Sequence, residues 1–323
     1  MKALLFEQPG KPLEALTIKD IEQPTPGKGE VLVKVSKANI IPADIMFIQG
    51  MYGLQPELPQ IAGFEATGRI EKIGDEVPLP VGIDVIFTAT GTWAEYVCVD
   101  ARSVIPKPKD MPDEVACQAF VNPLTAFGML QEANLAAGDW LLLTAANSAF
   151  SKLVIQLASE RDIQVIGTVR NDDQKQPLLD LGAKHVINSE NENVYKEVKK
   201  ATDGTFIKAA FDAVGGPLGD KVLNVLQSNG QLFIYGALSL QPIPVNSGLM
   251  IFKNLHIKGF WLSNWLMSLS KDERNKVIPK VLGLLTQQSL KTNVEAEYPL
   301  EDFAKAIAHM EKPGRSGKIL FDL

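Results

Sequence analysis

Short apolar segments separated by turn residues fill the first 108 residues of the chain. Residues 1–6 and 30–36 alternate between apolar and polar positions or stay apolar briefly, and Pro, Gly and Asp interrupt such segments. Segments of this kind are typical of short β-strands, and several in succession predict a barrel-like β domain.

The pattern changes from residue 112 onwards, where predicted helices alternate with predicted strands. Residues 140–144 are apolar without a helical period, which indicates a buried parallel strand. The apolar positions that follow have helical spacing: Leu153, Val154, Leu157 and Ala158. Further elements are predicted as strands at 164–169, 185–187, 208–214 and 231–235 and as helices at 173–181 and 217–227. This alternation predicts an α/β fold with a doubly wound parallel Rossmann sheet.

Asp113 is predicted to cap a short helix that runs through Gln118. Towards the end of the chain, helices are predicted at 273–288 and 300–310, and a closing strand at 318–321. We therefore expect two domains: a β domain formed by residues 1–110 and 260–323, and a dinucleotide-binding domain formed by residues 111–259. Such a layout places a cleft between domains, where small-molecule sites are commonly found.

Composition narrows the classes of function. Hydrophobic residues make up 46% of the chain and charged residues 22%, which is ordinary for a globular enzyme. The net charge of −6 argues against nucleic acid as a partner. Cys98 and Cys117 are too few for a disulfide framework, and we find no signal peptide and no apolar run long enough for a membrane span. We expect a cytoplasmic protein.

The small residues 145–149 open the helix between the first two parallel strands. A dinucleotide pyrophosphate can bind at such a helix N-terminus, on the N–H groups of Ser148, Ala149 and Phe150, beside Asn147. The glycine fingerprint is missing, so an ordinary βαβ unit without a ligand stays an alternative. Arg170 closes the second strand, where an acidic residue would indicate NAD; a guanidinium there favours the 2′-phosphate of NADPH, with Asn171 sharing the contact. A solvated surface arginine without a ligand is the alternative.

Four segments, residues 49–59, 121–126, 145–149 and 251–265, carry a resemblance to a known family. Over essentially its whole length the chain resembles the medium-chain dehydrogenase/reductase superfamily. It looks most like the zinc-independent branch that holds NADPH:quinone oxidoreductases and trans-2-enoyl-thioester reductases. The resemblance implies a GroES-like β-barrel domain beside the Rossmann sheet, and NADPH as the cofactor.

The resemblance also implies roles for particular residues. Tyr52 would be the general acid that protonates the reduced substrate, although a tyrosine that only packs its ring on the loop is the alternative. The remaining residues would contact the cofactor: Asn122, Thr125, Tyr235, Gly236, Phe260, Trp261 and Lys318. Each of these could instead be a turn or packing residue.

Zinc is not expected. Phe64 occupies the position at which zinc-dependent relatives have a histidine, no cysteine precedes Cys98, and the three histidines are scattered along the chain: His185, His256 and His309. Two departures from the family pattern affect the cofactor site, namely Ile41 in place of an asparagine and Ser151 in place of the third fingerprint glycine.

The predicted function is NADPH-dependent reduction of an activated C=C bond, most like that of a 2-enoyl thioester reductase. One alternative is a quinone or enone reductase of the same branch, and another is a crystallin-like NADPH-binding protein with little turnover. Residues 249–261 resemble the edge strand through which the family dimerises, so we expect a homodimer.

Overall fold

The chain forms two compact units in the computed structural model, which describes residues 1–323. Unit 1 combines Met1–Val121 with Leu282–Leu323, and unit 2 is Asn122–Val281. The sequence pattern placed these boundaries after residues 110 and 259 instead. No helix of the structure is both long enough and apolar enough to cross a bilayer.

Unit 1 consists mainly of β-strands. Its first part contains the following elements: β1 (Lys2–Phe6), α1 (Pro12–Ala15), β2 (Leu16–Asp20), β3 (Glu30–Asn39), α2 (Pro42–Ile48), β4 (Gln60–Ile61), β5 (Glu65–Ile73), β6 (Asp84–Thr88), β7 (Tyr96–Asp100), β8 (Val104–Pro106) and α3 (Asp113–Ala116).

Unit 2 alternates strands and helices, as the sequence pattern predicts. Its elements are α4 (Val121–Ala133, of which the first residue still belongs to unit 1), β9 (Trp140–Leu143), α5 (Ala149–Ser159), β10 (Gln164–Val169), α6 (Lys175–Asp180), β11 (His185–Asn188), α7 (Val194–Ala201), β12 (Ile207–Asp212), α8 (Gly216–Asn224), β13 (Leu226–Ile234), α9 (Ser247–Lys253), β14 (His256–Gly259) and α10 (Leu262–Ser268). The chain then returns to unit 1 through α11 (Lys271–Thr286), β15 (Val294–Pro299), α12 (Phe303–Glu311) and β16 (Lys318–Asp322).

The sheet of unit 2 has six parallel strands in the order β11-β10-β9-β12-β13-β14. The order in which the strands are added reverses between β9 and β12, and the carboxyl ends of the strands at such a point are where α/β folds bind ligands. The predicted doubly wound sheet is confirmed. In unit 1, β3 is central to a seven-stranded sheet, and β2, β1 and β4 form a smaller one. The predicted β domain is confirmed as well.

The predicted cap at Asp113 is wrong. Pro112, with extended backbone, precedes α3, and α3 ends at Ala116 rather than at Gln118. The Asp113 carboxylate accepts a hydrogen bond from Ser36 Oγ at 2.9 Å and contacts Lys107 Nζ. The side chain therefore joins α3 to its own unit instead of capping the helix.

Two further predictions concerned β13 and β14. The helix predicted at 217–227 ends at Asn224, because β13 begins at Leu226 and a bulge separates its pairs Ile207↔Leu226 and Ala209↔Gln231. The edge strand predicted at 249–261 is limited to His256–Gly259. A helix, α9, precedes it because the Asn246 side chain accepts from Gly248 N at 2.8 Å and caps that helix.

Candidate cofactor and active site

The N-terminus of α5 lies at the carboxyl end of β9, as the sequence predicts. Ser148 is the N-cap, and its Oγ accepts from Ser151 N at 3.1 Å. The N–H groups of Ala149 and Phe150 have no acceptor within the protein. Because these groups and the helix dipole both favour an anion, this terminus can bind a phosphate.

Close approach between β10 and the turn before α5 depends on Gly167. A Cβ atom at Gly167 would lie 2.6 Å from the Cβ of Ala146, well inside van der Waals contact. Ala146 N also donates to Thr168 O at 2.9 Å. The space that a fingerprint glycine normally provides on the helix side is therefore provided by a glycine on the neighbouring strand.

Ser151 does not disturb the turn. Its side chain is fully buried, and its Oγ lies 3.1 Å from Ser148 Oγ and 3.4 Å from Thr144 O. Burial raises the pKa of the phenol of Tyr235, which follows β13, against the opposing effect of Ser151 and Ser148, so the phenol stays neutral. The hydroxyl of Ser151, which replaces the third fingerprint glycine, therefore has hydrogen-bond partners within the turn.

Aromatic packing strengthens the same turn. The rings of Phe150 and Tyr235 lie 4.2 Å apart between centroids. Tyr235, a predicted cofactor residue, therefore lies directly beside the helix N-terminus that the other predicted residues form. Its neighbour Gly236 has no room for a side chain, because a Cβ there would lie 3.0 Å from Ala213 O.

A buried carboxylate shapes the turn after β12. Asp212 is fully buried, and its Oδ1 accepts from Thr144 Oγ1 at 2.7 Å and Val214 N at 2.9 Å, while its Oδ2 accepts from Gly215 N at 3.0 Å. Thr144 Oγ1 in turn accepts from Ala213 N at 2.9 Å. Asp212 and Thr144 were not predicted from the sequence, although an acid at a strand end, three residues before Gly215-Gly216, was a usable signal.

A pocket of about 310 Å³ opens beside this turn. Most of its lining is apolar, and the lining residues are Gly215, Ile234, Gly236, Ala237, Gln241, Ile243, Val245 and Ile257. It lies at the carboxyl ends of β12 and β13, on the side of the sheet where a dinucleotide crosses.

Arg170 follows β10 and is exposed. The acids that follow it do not neutralise it: Asp172 forms an ion pair with Lys175 at 2.9 Å and accepts from Asn188 Nδ2 at 3.1 Å. The Oδ1 atom of Asn171 accepts from Asp173 N at 3.2 Å. The Arg170 guanidinium is thus available to an anionic ligand, and the amide N–H groups of Asn171 are available to the same ligand.

The first turn of α4 carries Asn122 and Thr125. Because they are three residues apart on a helix, they share one face, as two residues contacting one ligand group should. Further along α4, a Cβ at Gly128 would meet the Trp265 ring at 2.9 Å and Phe260 Cζ at 3.0 Å. Phe260 therefore packs directly on α4, and Trp261 beside it is 40% exposed.

Tyr52 lies in unit 1, in the loop after α2, and is half-buried. Its ring is 5.3 Å from that of Phe64, which in turn lies 4.9 Å from the ring of Phe47. The packing on Phe64 fixes the orientation of the phenol. The Phe64 side chain, at the position where a zinc ligand would stand, packs in this aromatic stack.

Unit 1 also contains a cluster of buried polar side chains that the sequence analysis did not identify. Its members are Asn39, Asp44, Glu65 and Lys318, and none exposes more than 4% of its surface. Glu65 Oε1 accepts from Phe120 N at 2.7 Å and Val121 N at 2.9 Å, and Glu65 Oε2 accepts from Asn39 Nδ2 at 2.9 Å. We call this group the Glu65 cluster.

Burial opposes the charged form of each ionisable member of the Glu65 cluster. It raises the pKa of Asp44 to about 8, against the hydrogen bond from Ile41 N, and lowers the pKa of Lys318 to about 8, against the attraction of Glu65. It also raises the pKa of Glu65, but the N–H donors and Lys318 favour the ionised form. Lys318 thus lies among the acids of unit 1, and its predicted contact with the cofactor stays a prediction.

Ile41, the other departure from the family pattern, is buried at the N-cap of α2. Its N–H donates to Asp44 Oδ2 at 2.7 Å, so the backbone of this position is held although the family's amide side chain is absent. No group of three or more His, Cys, Asp or Glu side chains is arranged to hold a metal ion.

Both units match family models. Residues 27–109 match the model described as the alcohol dehydrogenase GroES-like domain, and residues 151–282 match the model described as zinc-binding dehydrogenase.

Individual proteins are similar over the whole chain. A protein of Arabidopsis thaliana named enoyl-[acyl-carrier-protein] reductase, mitochondrial, is 35% identical, and the match covers 98% of this chain and 87% of that protein. The structure of a Bacillus thuringiensis protein provisionally named NADPH:quinone reductase is 31% identical, with a TM-score of 0.92 over 100% of this chain and 98% of that chain. The Escherichia coli quinone oxidoreductase, solved with NADPH, has the same fold, with 24% identity and a TM-score of 0.93 over 100% of both chains.

Proposed function

The chain belongs to the medium-chain dehydrogenase/reductase family, in the branch without the zinc ligands, and on that premise we propose that it is an NADPH-dependent oxidoreductase that reduces an activated C=C bond. Among such reactions, the reduction of a trans-2-enoyl thioester of CoA or of an acyl carrier protein fits best. The observation that carries the proposal is the N-terminus of α5: two N–H groups without an acceptor within the protein lie at the same edge of the sheet as the strand end that the exposed Arg170 follows.

The residues of unit 2 fit NADPH. The N–H groups of Ala149 and Phe150 suit the pyrophosphate, with Asn147 and Ser148 in the same turn. Arg170 and Asn171 would bind the 2′-phosphate, which NADH lacks. Asn122 and Thr125 would hold the nicotinamide end, while Gly236, Phe260 and Trp261 would line it. When bound, NADPH supplies the hydride.

Tyr52 would supply the proton. Adding a hydride at the β-carbon of an enoyl thioester leaves negative charge on the α-carbon and the thioester oxygen, and a phenol can donate to either. General acid catalysis of this kind is worth about 10²–10⁴ in rate. The stack on Phe64 would hold the phenol in place during that transfer.

The test of the reaction follows NADPH oxidation with crotonyl-CoA, with a 1,4-quinone and without an acceptor. We expect turnover of crotonyl-CoA, and a loss of about 10²-fold or more in Tyr52→Phe with unchanged NADPH affinity. Tyr96→Phe, a half-buried tyrosine of the same unit, is the control. Unchanged turnover in Tyr52→Phe would remove the acid role, and no turnover with any acceptor would favour a crystallin-like binding protein.

The cofactor choice is tested by titration with NADPH and NADH. A charge-assisted contact to the 2′-phosphate is worth about 10- to 100-fold in affinity, and Arg170→Ala should lose that preference. Lys184→Ala, an exposed cation elsewhere in unit 2, is the control. Equal affinities for the two cofactors in the unchanged protein would refute NADPH as the physiological choice.

Quinone or enone reduction is the second candidate, favoured by the similarity to the provisionally named NADPH:quinone reductase. A quinone can take its protons from water, so its reduction should survive Tyr52→Phe. Turnover of a quinone that exceeds that of crotonyl-CoA and is insensitive to Tyr52→Phe would establish this alternative.

We also propose a homodimer that pairs through β14. This strand is at the edge of the six-stranded sheet, and the helix before it exposes 71% of Ile251 and 86% of Phe252. Light scattering should give twice the chain mass, and Phe252→Asp should shift it to the mass of one chain.

We propose a cytoplasmic location as well. A relative at 35% identity is named mitochondrial, so cell fractionation is the test that distinguishes the two compartments.

A further inference from the structure

We propose that Glu65 is a positioning residue for the nicotinamide-binding segment at the start of α4. The inference rests on the proposed binding of NADPH by Asn122 and Thr125. It assigns a role to a residue that zinc-dependent relatives carry next to a metal ligand and that here stands beside Phe64.

One carboxylate oxygen of Glu65 accepts two consecutive backbone N–H groups, Phe120 N at 2.7 Å and Val121 N at 2.9 Å. Val121 is the first residue of α4, and Asn122 follows it directly. The N–H groups of a first helical turn have no partner within the helix, and a negative charge there is favourable. Glu65 therefore caps α4 with a side chain from a strand 55 residues earlier in the chain.

The carboxylate is itself held rigidly. Its second oxygen accepts from Asn39 Nδ2 at 2.9 Å, and Asn39 O accepts from Trp93 Nε1 at 3.0 Å. Trp93 is fully buried and fits only because Gly63 has no side chain; a Cβ at Gly63 would lie 2.4 Å from the indole. Gly63 also has a φ of +97°, which glycine tolerates best.

Through these contacts Glu65 sets the position of the first turn of α4, in addition to stabilising the fold of unit 1. Rotation of the first turn of α4 would move Asn122 and Thr125 together, since they share one face. Displacement of a positioning group by about 1 Å can cost much of a binding or catalytic effect. Loss of the Glu65 charge should therefore weaken contacts to the nicotinamide end and leave contacts to the acyl group unchanged.

The main variant is Glu65→Gln, which keeps the shape of the side chain but replaces charge-assisted hydrogen bonds by neutral ones of roughly half the strength. Asn39→Ala keeps the carboxylate and removes only its orienting donor. Glu30→Gln is the matched control, because Glu30 Oε2 accepts a backbone N–H from Gly27 at 2.9 Å at the surface of the same unit. Each protein is assayed without cofactor by hydrogen exchange, and then for NADPH dissociation, kcat and both KM values with crotonyl-CoA.

In Glu65→Gln we expect exchange in residues 118–126 to accelerate about 10-fold, and the Kd and KM for NADPH to rise about 5- to 10-fold, with the KM for crotonyl-CoA unchanged. Asn39→Ala should shift the same quantities in the same direction by about 2- to 3-fold. Glu30→Gln should change none of them.

Unchanged exchange in residues 118–126, or faster exchange with unchanged NADPH constants, overturns the inference. An equal impairment of the NADPH Kd, kcat and both KM values, together with faster exchange throughout unit 1, also overturns the inference. That result is expected of a residue that only stabilises the fold of unit 1. If the unchanged protein binds no NADPH, the proposed function fails and the claim on the cofactor fails with it, while the exchange data still decide whether Glu65 caps α4.

Discussion

Unit 1 and unit 2 each bury a carboxylate that holds the backbone before a helix, but they do so differently. Asp212 in unit 2 accepts from Val214 N and Gly215 N, two and three residues further along the chain, and from Thr144, which directly follows the adjacent strand β9. Glu65 in unit 1 accepts from residues 55 and 56 positions away, and it lies among other buried ionisable groups, Asp44 and Lys318.

The difference shows two ways to hold a buried carboxylate. Asp212 takes two of its three donors from the turn that its own strand enters, so most of its site is local. Glu65 depends on donors and a lysine that distant segments bring together, so its site exists only when unit 1 is folded. A buried carboxylate without such donors would be costly by several kcal/mol.

The largest effects should come from removing each carboxylate. We expect Glu65→Ala to lower the free energy of unfolding of unit 1 by about 4 kcal/mol, since it leaves three buried donors without an acceptor and Lys318 without a counter-charge. Asp212→Ala should lower that of unit 2 by about 3 kcal/mol, because it leaves donors without an acceptor but no buried lysine without a counter-charge. Hydrogen exchange in urea, followed separately for the two units, measures both. A larger loss in the free energy of unfolding for Asp212→Ala than for Glu65→Ala would contradict this ranking.

The pH dependence of stability should distinguish the units next. The pKa of Asp44 is raised to about 8 from an ordinary 3.8, so between these values the folded chain keeps a proton that the unfolded chain releases. The free energy of unfolding of unit 1 should therefore fall as pH rises from 5 to 8. Lys318, with its pKa lowered to about 8 from 10.5, acts in the opposite direction only above pH 8.

Asp44→Asn removes the titrating group but keeps an acceptor for Ile41 N. The decline between pH 5 and 8 should shrink by about 3–4 kcal/mol in this variant, as urea midpoints at several pH values would show. Asp100→Asn is the control, because Arg102 holds the pKa of that exposed carboxyl at about 2, outside the range measured. An equal slope in the unchanged protein and in Asp44→Asn would contradict the assignment.

A smaller effect is expected at the partner of Asp212. Thr144→Val removes the hydroxyl that donates to Asp212 Oδ1 and accepts from Ala213 N. The side chains have similar shape, so the loss should reflect hydrogen bonding alone, about 1–2 kcal/mol for unit 2. Denaturant titration measures this loss. A value below about 0.5 kcal/mol would mean that the hydrogen bond from Thr144 contributes little to holding Asp212.

The smallest effect is expected for a carboxylate at the surface. Glu30 accepts from Gly27 N much as Asp212 accepts from Gly215 N, but water can replace its contact. Glu30→Gln should change the free energy of unfolding by no more than about 0.5 kcal/mol in the same titration. A loss as large as that of Asp212→Ala would show that burial is not what separates these sites.

The site in unit 2 was largely predictable because its parts are consecutive in sequence. A strand, a small-residue turn and a helix predict where α5 begins, and Arg170 follows from the end of β10. The bulge in β13 was not predictable, because its extra residues follow no hydrophobic period and are accommodated only by pairing with β12. Likewise, Gly167 replaces a missing fingerprint glycine from another strand, which no motif reveals.

By itself the sequence determined the order of the elements, the type of each unit and the turn at the start of α5, because hydrophobic periodicity and local turn chemistry act within a few residues. Only the tertiary structure decided that Glu65 caps α4, that Asn39 orients it, and that Lys318 lies beside both acids. The physical reason is that a buried charge is tolerated only where several donors converge, and their convergence depends on how β3, β5 and β16 pair.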